Sequence, residues 1–325
     1  MKRALVTGRH GQDATYLIEL LLEKGYRVTA TSRPSISPEV ASTLPTDSFD
    51  SHPDFQGCSL DLTSDADCLD ILTSVVPDEV YHLAGPSHVV GCDEQPMTAA
   101  DAIALGTGRM LRATHQVAPN SRFFFASSSE IFRGAAEVPQ TERTSPHAGN
   151  TYGAAKLIAQ SIVRSYRKLG MFACSGILYN HESPLRPERF VTRKVTAAAA
   201  RISKGQQTRL KLGRIDARRD WSFAGDIVRA MWLMLQADAP DDYVVASGTS
   251  HRVADWLEIA FARVGLDWRD HVDCDQSLLR EERGSQLLVG DSTKIRQKLG
   301  WRATVEFAEL VRLMIDHDLA LLALK

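Results

Sequence analysis

Thr7-Gly8-Arg9-His10-Gly11-Gln12-Asp13-Ala14 is the stretch on which the fold turns. It joins a short apolar run, Arg3 to Thr7, to a helical pattern, Gln12 to Lys24. In that pattern Tyr16, Leu17, Leu20 and Leu21 recur at helical spacing, and Gly25 can end it. Gly8 permits a tight turn, Gly11 lets the backbone approach a diphosphate at the helix N-terminus, and Ala14 keeps the helix close to the strand. A plain strand–helix turn would not need both glycines. The stretch therefore points to a dinucleotide-binding βα unit at the start of the chain.

Outward from it, the pattern repeats. Val28 to Ser32, Val80 to Ala84, Arg122 to Ser127 and Phe172 to Tyr179 read as buried strands, with helical stretches between them. Tyr152 to Leu169 reads as a strong helix with an apolar stripe of Leu157, Ile158, Ile162, Val163 and Tyr166. Pro34 to Pro53 reads as an irregular surface loop, and His181 to Arg189, with two prolines, as loop; Arg252 to Val264 is again helical. Past about residue 180 the texture becomes richer in Arg and Pro. The expected fold is α/β: a Rossmann-type doubly wound parallel sheet with a smaller, interleaved C-terminal substrate-binding lobe. Residues 1–180 would form the dinucleotide-binding domain, and 181–325 mainly the substrate-binding lobe, with some segments returning to the sheet.

Composition narrows the classes. The 325 residues are 44% hydrophobic, enough for a sizeable core, and 38 basic against 40 acidic residues leave a formal charge of -2. So balanced a chain has no global field for nucleic acid or membrane. Its apolar runs, such as Ala197 to Ala200, fall far short of the about 20 residues a span needs. Cys58, Cys68, Cys92, Cys174 and Cys274 make no C-x-x-C pair or metal-ligand cluster, so isolated thiols and no bound metal are expected. A strand pattern from the first residues leaves no room for a signal peptide, and a cytoplasmic protein is expected.

The second strand ends at Thr31-Ser32-Arg33, where a site for unphosphorylated ribose usually has a carboxylate. No acid is present. Arg33 can pair with a 2′-phosphate, and Arg9 lies in the glycine loop, so NADP is favoured over NAD. His10 reads as a solvated loop residue. Asp61, followed by Leu62, could bind the adenine amine or merely cap a helix before Thr63. Leu83 and Ala84, ending the Val80 to Ala84 run, are further cofactor candidates.

Tyr152 and Lys156 lie four residues apart and share a helix face. A positive charge at that spacing lowers a phenol's pKa and suits Tyr152 to acid–base work. Ser127-Ser128-Ser129-Glu130 follows a Phe-rich strand, and residues just past a parallel strand face the ligand crevice. Ser128 can hydrogen-bond a substrate oxygen there, and Glu130 adds a second acid or base.

With these segments in order, the sequence resembles the GDP-mannose 4,6-dehydratases, within the extended short-chain dehydrogenase/reductase superfamily, over nearly its whole length. The likeness runs through Thr7-Gly8-x-x-Gly11-Gln12-Asp13-x-x-Tyr16-Leu17, Ala126 to Glu130 and Tyr152-x-x-x-Lys156. It continues in Asn180-His181-Glu182-Ser183-Pro184, Phe190-Val191-Thr192-Arg193-Lys194 and Arg219-Asp220-Trp221. The Asn-His-Glu-Ser-Pro and Phe-Val-Thr-Arg-Lys pair is the most specific to this dehydratase. The resemblance implies an internal redox cycle on bound NADP: Tyr152 takes the C4 hydroxyl proton, Glu130 the C5 proton, and water leaves from C6. It implies that Asn180 and Arg219 hold the substrate diphosphate, with Val191 and Lys194 near the base and Ser87 and Arg280 also on the substrate side. It further implies a homodimer or homotetramer built partly on the Tyr152 helix.

This sequence departs from the family's pattern in places. Ser128 stands where threonine is usual, Arg9-His10 where residues are smaller or uncharged, and Ala14 for a third glycine. Arg186-Pro187-Glu188-Arg189 replaces a segment with glycine after the arginine. Near Arg280 the late ribose-binding motif is not intact, leaving Glu281 and Glu282 as alternatives. Apart from Ser128, a swap that keeps the hydroxyl, these changes fall on the nucleotide side. A 4-keto reductase or 4-epimerase of the same superfamily would share Ser, Tyr and Lys, though the Asn180 to Lys194 segment argues against it. A redox-sensing module without chemistry would have no reason to keep Tyr152, Lys156 and Glu130 together.

Overall fold

Alternation along the first strand sets the two faces of the sheet. In β1 (Arg3–Thr7), Ala4 and Val6 join one apolar cluster and Leu5 another. Further on, Phe124 belongs to the first cluster, and Phe123 and Phe125 to the second. Strands apolar on both faces require cover on both, which is the situation of a parallel sheet between helices. The computed structural model describes residues 1–34, 49–275 and 287–323.

After β1 come β2 (Arg27–Ser32), β3 (Phe55–Ser59), β4 (Glu79–His82), β5 (Arg122–Ser128) and β6 (Ala173–Leu178). Past them lie β7 (Asn180–Glu182), β8 (Leu210–Leu212), β9 (Arg218–Phe223), β10 (Asp242–Val245), β11 (Ser250–Arg252) and β12 (Val272–Cys274). Seven of these form one sheet in the order β10-β6-β5-β4-β1-β2-β3, every pair parallel. The order turns at β1, between β2 and β4, and a crevice opens beyond the strands' C-terminal ends there. The Rossmann-type doubly wound sheet expected from the sequence is the one found.

Helices Gln12–Glu23 and Ala224–Gln236 cover the first face through Leu17, Ile18, Leu21, Ile227 and Met231. Helices Asp65–Val75, Gly106–Val117 and Thr151–Lys168 cover the second. A third core gathers Trp221 and Trp256 with helices Val191–Ser203, Val253–Arg263 and Phe307–Ala323, beside the small sheets β11-β9-β7 and β12-β8. Arg193 and Asp318, both buried, pair at 2.6 Å and tie the first of these helices to the last.

Some sequence expectations shift. Of the stripe expected on the Tyr152 helix only Val163 is fully buried, and Ile158 is 52% exposed. The buried face is Gly153, Ala155, Lys156, Ala159, Gln160 and Val163. Small residues let this helix lie close to the sheet, and its two polar members are satisfied. Lys156 Nζ donates to the Ala126 carbonyl at 2.7 Å, while Gln160 bonds Ser127 at 2.7 Å and Asp242 at 3.2 Å. β3, a largely exposed edge strand of sequence Phe-Gln-Gly-Cys-Ser, carries no apolar run by which to read it. β4 ends at His82, so Leu83 and Ala84 lie past it, in the crevice. The stretch read as loop from His181 begins within β7. Of the loop read at Pro34 to Pro53, residues 35–48 lie outside the described residues, and Phe49 is buried against Phe55.

Candidate active site

The crevice is a cleft of about 2100 Å³ that runs from the glycine loop to the helix Phe307–Ala323. Gly8 forms its floor with φ at +87°, and a Cβ there would lie 3.0 Å from the Ala84 backbone. That close approach is held by Thr7, whose hydroxyl accepts from the amides of Leu83 and Ala84 at 3.1 Å each. The amides of Gly8 and Arg9 both donate to the Thr31 carbonyl, which fixes the loop to β2. Gly11 is the N-cap of the first helix, so its turn faces the cleft with unpaired helical amides, a cradle for phosphate.

The nucleotide candidates Arg9, Arg33, Asp61 and Leu62 line the same wall. Arg9 pairs with Asp50 and lies over Phe55, and a Cβ at Gly57 would take its guanidinium's place. Its Nε is buried with no hydrogen-bond partner, as is Nδ1 of His10. His10 is thus half-buried rather than solvated, because the loop folds its ring into the wall. Arg33 is exposed at the end of β2. Asp61 accepts from the Thr63 amide and hydroxyl at 2.8 Å, while the helix after it is capped by Ser64 instead. A buried arginine nitrogen and a buried imidazole nitrogen without partners thus lie beside the glycine cradle.

Ser128, Glu130, Tyr152 and Lys156 converge on the opposite wall. Burial pushes the Tyr152 phenol's pKa above its ordinary value, with the neighbouring Ser128 hydroxyl opposing. The spacing of Tyr152 and Lys156 suggested the contrary. The difference arises because Lys156 Nζ points at the Ala126 carbonyl, 5.7 Å from the centre of the tyrosine ring. Burial also lowers the Lys156 ammonium to about 8. Glu130 accepts from Arg133 through both oxygens, Nε to Oε2 at 2.9 Å and Nη2 to Oε1 at 2.5 Å. Asn150, the N-cap of the tyrosine helix, donates to Oε2 at 2.7 Å.

Gln12 and Asp13 spend their side chains on the protein. Gln12 donates to the His181 carbonyl and accepts from Ser183; Asp13 faces His181 Nε2 at 2.8 Å. His181 Nδ1 lies 2.7 Å from the Tyr179 carbonyl, so it carries a proton there. Burial alone would lower this imidazole's pKa, but Asp13 and that carbonyl outweigh it and hold the ring above its ordinary value. The matching effect of His181 overcomes burial at Asp13 and holds its carboxyl low. Nothing in the sequence pattern assigned a role to His181, Arg133 or Asn150; these are contacts between segments far apart in sequence or specific to this loop.

On the substrate side, Ser87, Asn180, Val191, Lys194 and Arg219 all line the cleft. Lys194 Nζ donates to the Lys211 carbonyl at 2.8 Å. Next to Arg219, the buried Asp220 accepts from Ser247, Gly248 and Gly290, pinning β9 against two loops. Arg186, also in the cleft, stacks 3.5 Å over Phe190 and pairs with Glu182. Arg280, Glu281 and Glu282 lie outside the described residues. Among the described residues no cluster suits a metal ion, and no helix is long and apolar enough to cross a membrane.

A family model described as GDP-mannose 4,6 dehydratase matches residues 5–314. This chain belongs to that family. A GDP-mannose 4,6 dehydratase 1 of Arabidopsis thaliana is 45% identical over 98% of this chain and 90% of its own length. The GDP-mannose 4,6-dehydratase of Sinorhizobium fredii (strain HH103) is 41% identical over 99% and 97%, and that of Homo sapiens 39% over 98% and 92%. Among solved structures, RMD from Pseudomonas aeruginosa complexed with NADPH superposes with a TM-score of 0.82 at 22% identity, covering 98% of this chain and 99% of that one. The dTDP-glucose 4,6-dehydratase of Bacillus anthracis, in complex with NAD, gives 0.82 at 15% identity, covering 98% and 96%. At these identities the two superpositions bear on the fold alone, and they agree with the sheet order described above.

Proposed function

We propose that this protein is a hydro-lyase that converts GDP-mannose to GDP-4-keto-6-deoxymannose with bound NADP. The observation that carries the reading is the convergence of two acid–base groups, Tyr152 and Glu130, on one cleft beside a glycine cradle, in a chain of this family. A simple dehydrogenase needs the first group only. A dehydratase needs both over a single ring, because the C5 hydrogen becomes acidic only once C4 is a carbonyl.

Gly8, Arg9, Gly11, Gln12, Asp13, Arg33, Asp61, Leu62, Leu83, Ala84, Tyr152 and Lys156 would hold the cofactor. When bound, it supplies a hydride acceptor for C4 and afterwards a hydride donor for C6. Tyr152 takes the C4 hydroxyl proton, with Ser128 orienting the same oxygen and Lys156 held beneath by Ala126. Glu130 removes the C5 proton and returns one to the departing C6 hydroxyl. Asn180 and Arg219 take the diphosphate, Arg219 because a planar guanidinium donates two bonds at once; Ser87, Val191, Lys194 and Arg280 complete the substrate side. Residues 1–180 serve as the cofactor domain and 181–325 mainly as the substrate lobe. A cytoplasmic homodimer or homotetramer, built partly on the Ile158 face of the tyrosine helix, completes the reading.

Incubation with GDP-mannose and with the corresponding UDP, CDP and dTDP sugars should yield a 4-keto-6-deoxy product from the GDP sugar in strong preference. Preference for a pyrimidine nucleotide would overturn the substrate assignment. For the cofactor, NADP should bind well ahead of NAD. Losing a charge-assisted contact to the 2′-phosphate costs about 1.5–3 kcal/mol, roughly tenfold to a hundredfold in affinity. Arg33→Ala should lose that preference in a titration with both cofactors. Equal affinities in the unaltered protein would exclude NADP selectivity.

A further inference from the structure

Glu130 is surrounded by more donors than a base usually has. Oε2 takes two hydrogen bonds, from Arg133 Nε at 2.9 Å and Asn150 Nδ2 at 2.7 Å. Oε1 takes one, from Arg133 Nη2 at 2.5 Å. A carboxylate oxygen has two lone-pair sites, so Oε2 is saturated and Oε1 keeps one site open. The clamp is built into the fold around it. Arg133 is mostly buried but reaches the cleft. A Cβ on Gly149 would lie 2.8 Å from Arg133 Cγ, so the neighbouring strand of chain makes room for this arginine. Asn150 meanwhile accepts from the Gly153 amide at 2.7 Å, which links the carboxylate to the first turn of the tyrosine helix.

We propose that Arg133 and Asn150 are positioning residues that make Oε1 of Glu130 the proton-accepting atom of the elimination. The proposal rests on Glu130 being the elimination base. In that step the C5–H bond breaks and its proton forms the O–H bond on Oε1. The electron pair left behind forms the C4 enolate. That enolate then forms the C5–C6 double bond as the C6–O bond breaks, and Oε1 returns its proton to the leaving hydroxyl, which departs as water. One oxygen serves both transfers, so no rotation of the carboxyl is needed between them. Arg133 carries no proton in the step; through its two bonds to Glu130 it fixes the plane in which the open lone pair lies.

The test uses the NADP-loaded enzyme, GDP-mannose and heavy water. Arg133→Ala should oxidise C4 at close to the unaltered rate while product release falls at least tenfold and bound reduced cofactor accumulates. Exchange of the C5 hydrogen with solvent should slow by the same factor, and added free guanidinium should restore several-fold of the loss. Arg133→Gln, which keeps donors without the charge or the fork, should show the same block in milder form and is read in place of Arg133→Ala should that variant fail to bind cofactor. Product release unchanged, or oxidation and elimination falling together with no guanidinium rescue, would overturn the proposal. Glu130→Gln is run beside it. If that variant turns over normally, the assignment of Glu130 itself is wrong. If it accumulates reduced cofactor while Arg133→Ala behaves as the unaltered protein, only the positioning role is lost.

Discussion

Glu130→Gln is expected to hold its cofactor reduced and to release almost no 4-keto-6-deoxy sugar. The substitution keeps the size of the side chain and leaves Tyr152, Ser128 and Lys156 in place, so oxidation at C4 should proceed. What disappears is the proton acceptor for C5. General acid–base groups contribute about 10²–10⁴-fold, so the deficit should be large. The surroundings add to it. Arg133 and Asn150 offer three hydrogens to this carboxylate. An amide can turn only its carbonyl to them, leaving its NH₂ against a donor. The side chain would therefore be misplaced as well as inert. Rapid mixing with GDP-mannose, following nicotinamide absorbance and product together, checks both halves. Normal product release with no bound reduced cofactor would remove Glu130 from the chemistry.

Tyr152→Phe should fail one step earlier, with no reduced cofactor at any time. The phenol is buried against Ser128 and is pushed above its ordinary pKa, so the free protein disfavours the phenolate. Tyr152 takes the C4 hydroxyl proton only as phenolate, a form that Ser128 and the positive charge of an oxidised nicotinamide would favour, and a ring without the oxygen has nothing to accept it. A loss of about 10²–10⁴-fold in the first half-reaction is expected. The complementary experiment uses the unaltered enzyme and GDP-mannose deuterated at C4. Because the hydride is only borrowed, the label should appear at C6 of the product. Label in released NADPH, or a product that retains its C6 hydroxyl, would exclude a dehydratase and favour a net oxidoreductase or epimerase.

The sheet was legible because its strands are buried on both faces. Leu5, Val6, Phe123, Phe124 and Phe125 leave no polar alternation to confuse with an exposed strand. β3 was not, since an edge strand with one covered side asks little of its residues. The tyrosine helix misled in its packing. Ile158 and Leu157 look like core residues, yet the face that meets the sheet is made of Gly153, Ala155 and Ala159. Periodicity registers large apolar groups and overlooks small ones that permit close approach. In the site, residues tied to a local geometry could be found: a glycine turn, a tyrosine and lysine one turn apart, serines past a strand. Arg133 and Asn150 act on Glu130 from 3 and 20 positions away, and His181 meets Asp13 across 168. The pairings across 20 and 168 positions arise from the fold and leave no spacing to read; Arg133, three positions from Glu130, had a spacing but no pattern to mark its role.

The bond between Asp13 and His181 also bears on time. Gln12 and Asp13 open the helix beneath the glycine turn, and they are stitched to the segment from Tyr179 to Ser183, which carries Asn180. Loosening one lip of the cleft therefore loosens the other. An enzyme that lends out a hydride and takes it back must keep lender and borrower together until the loan is settled. With its two lips joined by a mostly buried ion pair, a cleft of this kind would favour residence over exchange. The cofactor would then behave less like a reagent consumed per cycle than like a fitted part.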